Sequence, residues 1–229
     1  MITAVIAMEC EAEILLKNAT IAAQKTILGK KVYEGEAYGK KFALILCGVG
    51  KVNAALGAQI ALLTYRPQSV LNFGVAGGLN ERTALCAVYQ IDKAVQFDFD
   101  LTQLNGGKIG TLNEYTQNYL PLSALSLSLP QRALGTADRF NDSPADYALL
   151  TDELNADIRD MEGAAIVQAA LCAGVDAYCV KAISDVAGSG STTDQYLKNR
   201  AAALRNLETA LPDIFSAIAQ ADEIARPRL

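Results

Sequence analysis

Ala177-Tyr178-Cys179-Val180-Lys181-Ala182-Ile183-Ser184-Asp185-Val186-Ala187-Gly188-Ser189-Gly190-Ser191 decides how this chain is read. The apolar run from Ala177 to Ile183 has the length and composition of a buried strand. It ends in a hydroxyl and a carboxylate, Ser184 and Asp185, and Val186 to Ser191 follows as a flexible, glycine-rich loop. An acid at the C-terminal end of a strand, ahead of such a loop, stands where α/β proteins place their ligands. Two further carboxylates belong with it. Glu162 lies in Asp160-Met161-Glu162-Gly163-Ala164-Ala165, at the start of an apolar helix, and Glu11 follows the first strand. The 229 residues include no histidine, so acid–base chemistry near neutral pH rests on carboxylates, lysines, tyrosines or thiols.

The bulk composition narrows the class. Hydrophobic residues make up 51% and charged residues 20%, the balance of a globular protein with a sizeable core. No internal repeat, low-complexity tract or linker interrupts the chain, so one domain over residues 1–229 is expected. A net charge of −5 argues against a nucleic-acid surface and against a strongly anionic membrane. The apolar start from Met1 to Met8 lacks a basic leader and is interrupted by Glu9 and Glu11, so it reads as a strand and not as a signal peptide. No run approaches the ~18 apolar residues of a membrane span. The cysteines, Cys10, Cys47, Cys86, Cys172 and Cys179, are odd in number and show no CxxC spacing. They read as reduced thiols in a cytoplasm, with no metal site and no cofactor.

Strands and helices alternate. Residues 2–7 read as a strand and 11–17 as a helix. Lys31–Glu36 and Lys41–Cys47 form a hairpin about Tyr38-Gly39-Lys40. A helix of small residues covers 52–64, and Ser69–Phe73 is a buried strand with Gly74-Val75-Ala76-Gly77-Gly78 as a loop after it. A longer strand spans 87–97. Residues 101–130, with Gly106-Gly107, Gly110, Pro121 and Pro130, read as an irregular excursion. Strands at 131–134, 157–159 and 177–183 alternate with helices at 144–150, 164–173 and 194–221. This order predicts an α/β sheet covered on both faces.

Each motif also has a plain structural explanation. Gly48-Val49-Gly50-Lys51 joins a strand to a helix, where free helix N–H groups can hold an anion or a ribose oxygen, or where the glycines simply make a turn. It matches neither GxxxxGK[ST] nor GxGxxG. Gly74–Gly78 could reflect close packing alone. Glu162 gains from the dipole of the helix it opens, so capping would account for it, and Asp185 could cap in the same way. If the strands are parallel, however, these loops meet along one edge of the sheet and enclose a pocket.

Taken together, five segments resemble the 5′-methylthioadenosine/S-adenosylhomocysteine nucleosidases of the purine and uridine phosphorylase superfamily. They are Ala7-Met8-Glu9-Cys10-Glu11, Cys47 to Ala55 (with Gly48-Val49-Gly50-Lys51), Asn72 to Leu79, Asp160 to Ala165, and Ala182 to Ala187. They occur in the family's order over most of residues 1–220. The resemblance implies a three-layer α/β/α fold with a twisted mixed sheet partly closed into a barrel, and usually a homodimer. It implies a small-molecule purine nucleoside as substrate and hydrolysis of its N-glycosidic bond to release adenine. It also implies roles. Asp185 would protonate N7 of the leaving base, with Ser184 orienting it. Glu162 and the Met161 backbone would hold the ribose hydroxyls, and Glu11 would position and activate water. Phe140 would stack on the base and the backbone of Asn141 would read its edge. Met8 and Val49 would line the ribose and 5′ side, and Val75, Ala76 and Gly77 the small-residue wall.

The residue inventory suits that chemistry. Cleavage of an N-glycosidic bond passes through a ribosyl cation-like state that needs a proton for the base, negative charge near the sugar and a held water. Three carboxylates in one pocket supply these, provided that one has a raised pKa. Acidic residues at the first strand-to-helix turn disfavour a phosphate nucleophile and favour water. The chain also departs from the family. Lys181, expected among the substrate-binding residues, stands where arginine is usual, Val75 replaces a serine, and Gln96-Phe97-Asp98-Phe99-Asp100 replaces a histidine-bearing segment. Lysine is a point charge without the guanidinium fork, so the surroundings of Glu11 are expected to differ. The divergent 101–120 segment leaves open another 5′ substituent, as in a futalosine-like hydrolase. Phosphorolysis and a weakly active nucleoside-binding protein are the remaining alternatives.

Overall fold

The computed structural model describes residues 1–225. Strand β1 (Ile2–Ile6) is buried along its whole length. Its side chains alternate between two cores: Ile2, Ala4 and Ile6 enter one and Val5 the other. A strand buried on both faces belongs in the middle layer of three. It pairs in parallel with β4 (Lys40–Leu46) on one side and β5 (Ser69–Gly78) on the other. Beyond β4, β3 (Lys30–Ala37) and β2 (Ala19–Ile27) continue the sheet as antiparallel strands to its edge.

On the other side of β1 the sheet closes on itself. β5 pairs in parallel with β10 (Asp176–Val186), and β10 runs antiparallel to β6 (Val88–Gln96). β6 is parallel to β8 (Gln131–Thr136) and β8 to β9 (Ile158–Asp160). β9 then returns antiparallel to β5. The circuit β5-β10-β6-β8-β9 is thus a closed barrel that leaves those strands no free edge. β7 (Leu120–Pro121) adds to β6.

Helices cover both faces. α1 (Glu9–Leu16) and α6 (Thr192–Ala225) pack Leu15, Leu207, Leu211 and Phe215 against Phe73 and Val180. α2 (Lys51–Tyr65) and α5 (Gly163–Cys172) bring Ala58, Ala61 and Ile166 against Val5, Ile45 and Val70. Their alanines let the helices lie close to the sheet. α3 (Thr102–Asn105) buries no residue, while α4 (Pro144–Ala148) is opened by Ser143, whose hydroxyl accepts from the Asp146 N–H. The expected α/β/α architecture with a partly closed mixed sheet is the one this chain adopts. Residues 101–130 contribute only α3 and β7. Among the described residues no helix is long and apolar enough to cross a membrane.

Several local expectations fail for identifiable reasons. Gly74–Gly78 is not a loop: β5 runs through it to Gly78, because β10 and β9 pair with Gly77 and Gly78 from both sides. Glycine carries no strand preference of its own, so only these partners reveal the extension. Ser184 and Asp185 likewise lie inside β10, across a bulge between Ile183 and Asp185. β2 has no counterpart in the sequence reading. Its middle residues are exposed and show no apolar alternation, and it exists through its ladder with β3.

Candidate active site

The parallel strands β1, β5 and β10 end at one edge of the sheet, and a cavity of about 390 Å³ opens there. Glu11, Glu162 and Asp185 all line it, each brought by a different element. Glu11 is in the first turn of α1. Its Oε2 accepts from the N–H of Met8, just ahead of the helix (3.1 Å), and Oε1 from the N–H of Val75 on β5 (2.8 Å). A Cβ at Gly74 would come within 2.3 Å of Oε1, so glycine there is what lets the carboxylate lie against β5. Burial pushes the Glu11 pKa up. The Lys181 charge and the two N–H donors oppose it, and Asp160 adds to it.

Glu162 stands immediately before α5 but makes no capping bond to that helix. It reaches across to Gly50, whose N–H donates to Oε1 at 2.8 Å. Burial, reinforced by Asp160, raises its pKa to about 7 against the pull of Lys181 and the Gly50 N–H. Asp185 sits past the bulge of β10. The Ser184 hydroxyl donates to its Oδ2 at 2.8 Å, and Oδ1 is buried with no hydrogen-bond partner among the described residues. Gly77 makes room for it, since a Cβ there would fall 2.7 Å from Oδ1. Burial raises the Asp185 pKa, while Ser184 and Arg159 lower it.

Met8, Val49, Val75, Ala76, Gly77, Met161 and Ser184 line the same cavity. Phe140 is half exposed at the mouth and meets Tyr196 of α6 edge to face, with ring centroids 5.6 Å apart. Two expected residues are elsewhere. The Asn141 side chain turns away to Asp146 and the Ser143 N–H, and the residue does not line the cavity. Lys181 is fully buried behind the wall, its Nζ 2.9 Å from Asp160 Oδ2. Asp160 also accepts from the Thr136 hydroxyl (2.5 Å) and the Gly163 N–H (2.9 Å). Burial alone would favour neutral lysine, but Asp160, aided by Cys179, Glu11 and Glu162, outweighs it and raises the Lys181 pKa. Its short reach brings it to one partner, Asp160, and not to the cavity.

The sequence reading missed Asp160, Arg139, Arg159 and Tyr196 as lining residues. Asp160 and Arg159 adjoin Met161-Glu162, and a charged pair inside a strand was the available signal. Tyr196 lies on α6, and only the folding of that helix over the mouth brings it in. Among the described residues, no three His, Cys, Asp or Glu side chains gather as a metal-ligand group.

Comparison with known proteins places this geometry. The model of the phosphorylase superfamily matches residues 2–218, and the chain belongs to that superfamily. The 5′-methylthioadenosine/S-adenosylhomocysteine nucleosidase of Bacillus thuringiensis (strain Al Hakam) is 29% identical over 209 residues, 85% of this chain and 90% of the relative. The nucleosidase of the same description from Colwellia psychrerythraea 34H, solved in complex with adenine, superposes with a TM-score of 0.86 at 25% identity, covering 95% of each chain. The S-adenosylhomocysteine nucleosidase of Streptococcus pyogenes, in complex with 5-methylthiotubericidin, gives 0.80 at 27% identity over 93% of this chain and 96% of that one.

Two outcomes follow from the buried charges. Lys181→Met removes the cationic partner of the buried Asp160 carboxyl, so urea unfolding should show a loss of about 3–5 kcal/mol, most of it recovered in Lys181→Arg. Wild-type stability at both substitutions would contradict the pairing. Glu162 has a folded pKa of about 7 above an ordinary 4.5, so the fold holds a proton that the unfolded chain gives up. Its contribution is therefore full below about pH 4.5 and is lost as pH rises to about 7, a change of up to about 3 kcal/mol. Glu162→Gln should flatten the pH dependence of the unfolding free energy across that window, and an unaltered slope would refute the assignment.

Proposed function

We propose that this protein hydrolyses the N-glycosidic bond of 5′-thio-substituted adenosines, of the 5′-methylthioadenosine and S-adenosylhomocysteine type, and releases adenine. The observation that carries this reading is the convergence of Glu11, Glu162 and Asp185, all buried and all raised in pKa, on one cavity. Nucleosidase relatives aligned over most of the chain support it, one of them holding adenine.

Asp185, whose pKa burial raises, gives its proton to N7 as the C1′–N9 bond breaks and the bonding pair leaves with the base. Ser184 fixes the orientation of that carboxyl. Glu11, held by two backbone N–H groups, accepts a proton from the water that attacks C1′. Glu162, beside Met161, accepts from the ribose hydroxyls, and its partial negative charge stabilises the cationic sugar. Met8 and Val49 enclose the 5′ side, and Phe140 covers the base. Water is preferred to phosphate because the Glu11 end of the cavity presents carboxylate and apolar groups, and neither lining arginine stands there. Arg139 pairs with Asp146 at 2.7 Å, and Arg159 stands by Asp185.

We place this activity in a single domain and in the cytoplasm, as part of methionine salvage. The five cysteines, none of them in a disulfide, accord with a reducing compartment. The working unit is a homodimer, supported by the exposed apolar row Val52, Leu56 and Leu63 on α2, continuous with Val49 at the cavity mouth.

Asp185→Asn should lower kcat by about 10²–10⁴-fold in an assay of adenine release, and the wild-type rate should not change with added phosphate. Turnover that requires phosphate, or an Asp185→Asn enzyme within tenfold of wild type, would reject the mechanism. For the dimer, sedimentation velocity should give a two-chain particle that becomes monomeric in the double variant Leu56→Glu/Leu63→Glu. A monomeric wild type at tens of micromolar (order of magnitude for a stable interface) would reject it.

A further inference from the structure

Arg159 is the cavity residue that the carboxylate chemistry leaves unused. It lies in β9 between the core residue Ile158 and Asp160, directly opposite Gly77 of β5. That register brings the guanidinium beside the Asp185 end of the cavity. The side chain is only 13% exposed. Nη2 donates to the Thr192 hydroxyl at 3.1 Å, and lies 3.9 Å from Asp185 Oδ1 and 4.0 Å from Asp142 Oδ1, both beyond hydrogen-bond distance. Nε and Asp185 Oδ1 share the space over Gly77, at 3.1 and 2.7 Å from where a Cβ would stand. Among the described residues no acceptor takes a hydrogen bond from Nε or Nη1, and Asp185 Oδ1 has no partner.

A cation with unspent donors beside an unpartnered carboxylate oxygen describes half of a recognition edge. Burial of such groups is costly unless a ligand completes them. In a purine, N7 and the substituent at position 6 lie side by side. A carboxyl that addresses N7 with one oxygen presents the other toward position 6. That second oxygen accepts from a 6-amino group, and alone it would repel a 6-oxygen. Arg159 changes the outcome, because a guanidinium donor at the same place matches a 6-oxygen and stabilises the negative charge that a departing 6-oxopurine spreads onto it.

We propose that the base subsite also takes 6-oxopurine nucleosides, with Arg159 donating to the 6-oxygen of the leaving base. The inference rests on the reading of Asp185 as the acid at N7. The step balances as it does for adenine: the C1′–N9 bond breaks with its electron pair going to the base, the Asp185 proton passes to N7, and water bonds to C1′ while its proton passes to Glu11.

The test compares 5′-methylthioinosine with 5′-methylthioadenosine, reading free base by chromatography with the full-length protein. Wild type should turn over both, with kcat/KM values within about tenfold of each other. In Arg159→Met, which keeps an unbranched stem and removes the donors, the oxo-to-amino ratio of kcat/KM should fall about 10- to 100-fold whatever happens to the absolute rates. Arg159→Lys should restore part of the ratio. A structural role alone would lower both rates together and leave the ratio unchanged, which overturns the proposal. So does a wild type that hydrolyses only the 6-amino nucleoside, an outcome that leaves the nucleosidase reading intact. Release of base from neither nucleoside overturns both.

Discussion

The buried ion pair between Lys181 and Asp160 is the interaction on which the site depends. Glu11, Asp160 and Glu162 are all buried around it, and Lys181 is the buried ammonium in their midst. Like charges at such separations, withdrawn from water, would drive one another toward protonation and push the elements that carry them apart. Lys181 offsets this in the centre of β10, where the strand is paired with β5 on one side and β6 on the other. Its partner is fixed in turn, because Asp160 also receives the Thr136 hydroxyl and the Gly163 N–H. The Thr136 hydroxyl oxygen accepts from the Ala164 N–H, which ties the first turn of α5 to the same cluster. The pair therefore sets the position of Glu162 through the helix that follows it. Lysine at this place does not leave the site short of a cation. It spends its charge on one carboxylate, where a planar guanidinium could have forked between two.

A second constraint lies in the backbone of β5. Two of the four carboxylates that line the cavity press against glycines of this strand, Glu11 on Gly74 and Asp185 on Gly77. Side chains of the strands and helices around β5 supply the acid groups, while β5 itself supplies the Val75 N–H and absent volume. This explains why a stretch with poor strand preference is nevertheless the strand shared by the barrel and the rest of the sheet. Pairing on both sides restores what the glycines lack, and their missing Cβ atoms bring the acids within reach of the cavity.

Much of this could be read in the chain, and the rest could not, for physical reasons. The buried strands β1, β4 and β10 announce themselves because they are apolar on both faces, and Glu11, Glu162 and Asp185 because each is a charge at the end of an apolar run. β2 was illegible, since an edge strand held by its ladder with β3 carries no apolar period. The glycines of β5 read as a loop because strand character there comes from neighbours distant in sequence. Arg159 showed only as half of a charged pair beside Met161-Glu162, and Tyr196 did not show at all. Their importance comes from the register of β9 on β5 and from the path of α6 across the mouth, and neither leaves a local mark. Lys181 was visible as an anomaly, but only the fold shows that its charge is directed at Asp160 and away from the cavity.

These placements make the cavity electrically unequal along its length. At one end Glu11 is held by uncharged N–H donors, with the nearest ammonium behind the wall on Asp160. At the other, Asp185 faces an arginine across a gap too wide for a hydrogen bond. Bond cleavage in a nucleoside separates charge in the same sense, positive on the sugar and negative on the departing base. With the substrate seated as proposed, sugar toward Glu11 and base toward Asp185, carboxylate at one end and guanidinium at the other both favour that separation, and both are in place before any substrate is bound. The groups are fixed by strands, a helix turn and a bulge, so little reorganisation is needed as the charge develops. The burial that raises the carboxylate pKa values is then the same burial that makes this preset field effective, because water is not there to screen it.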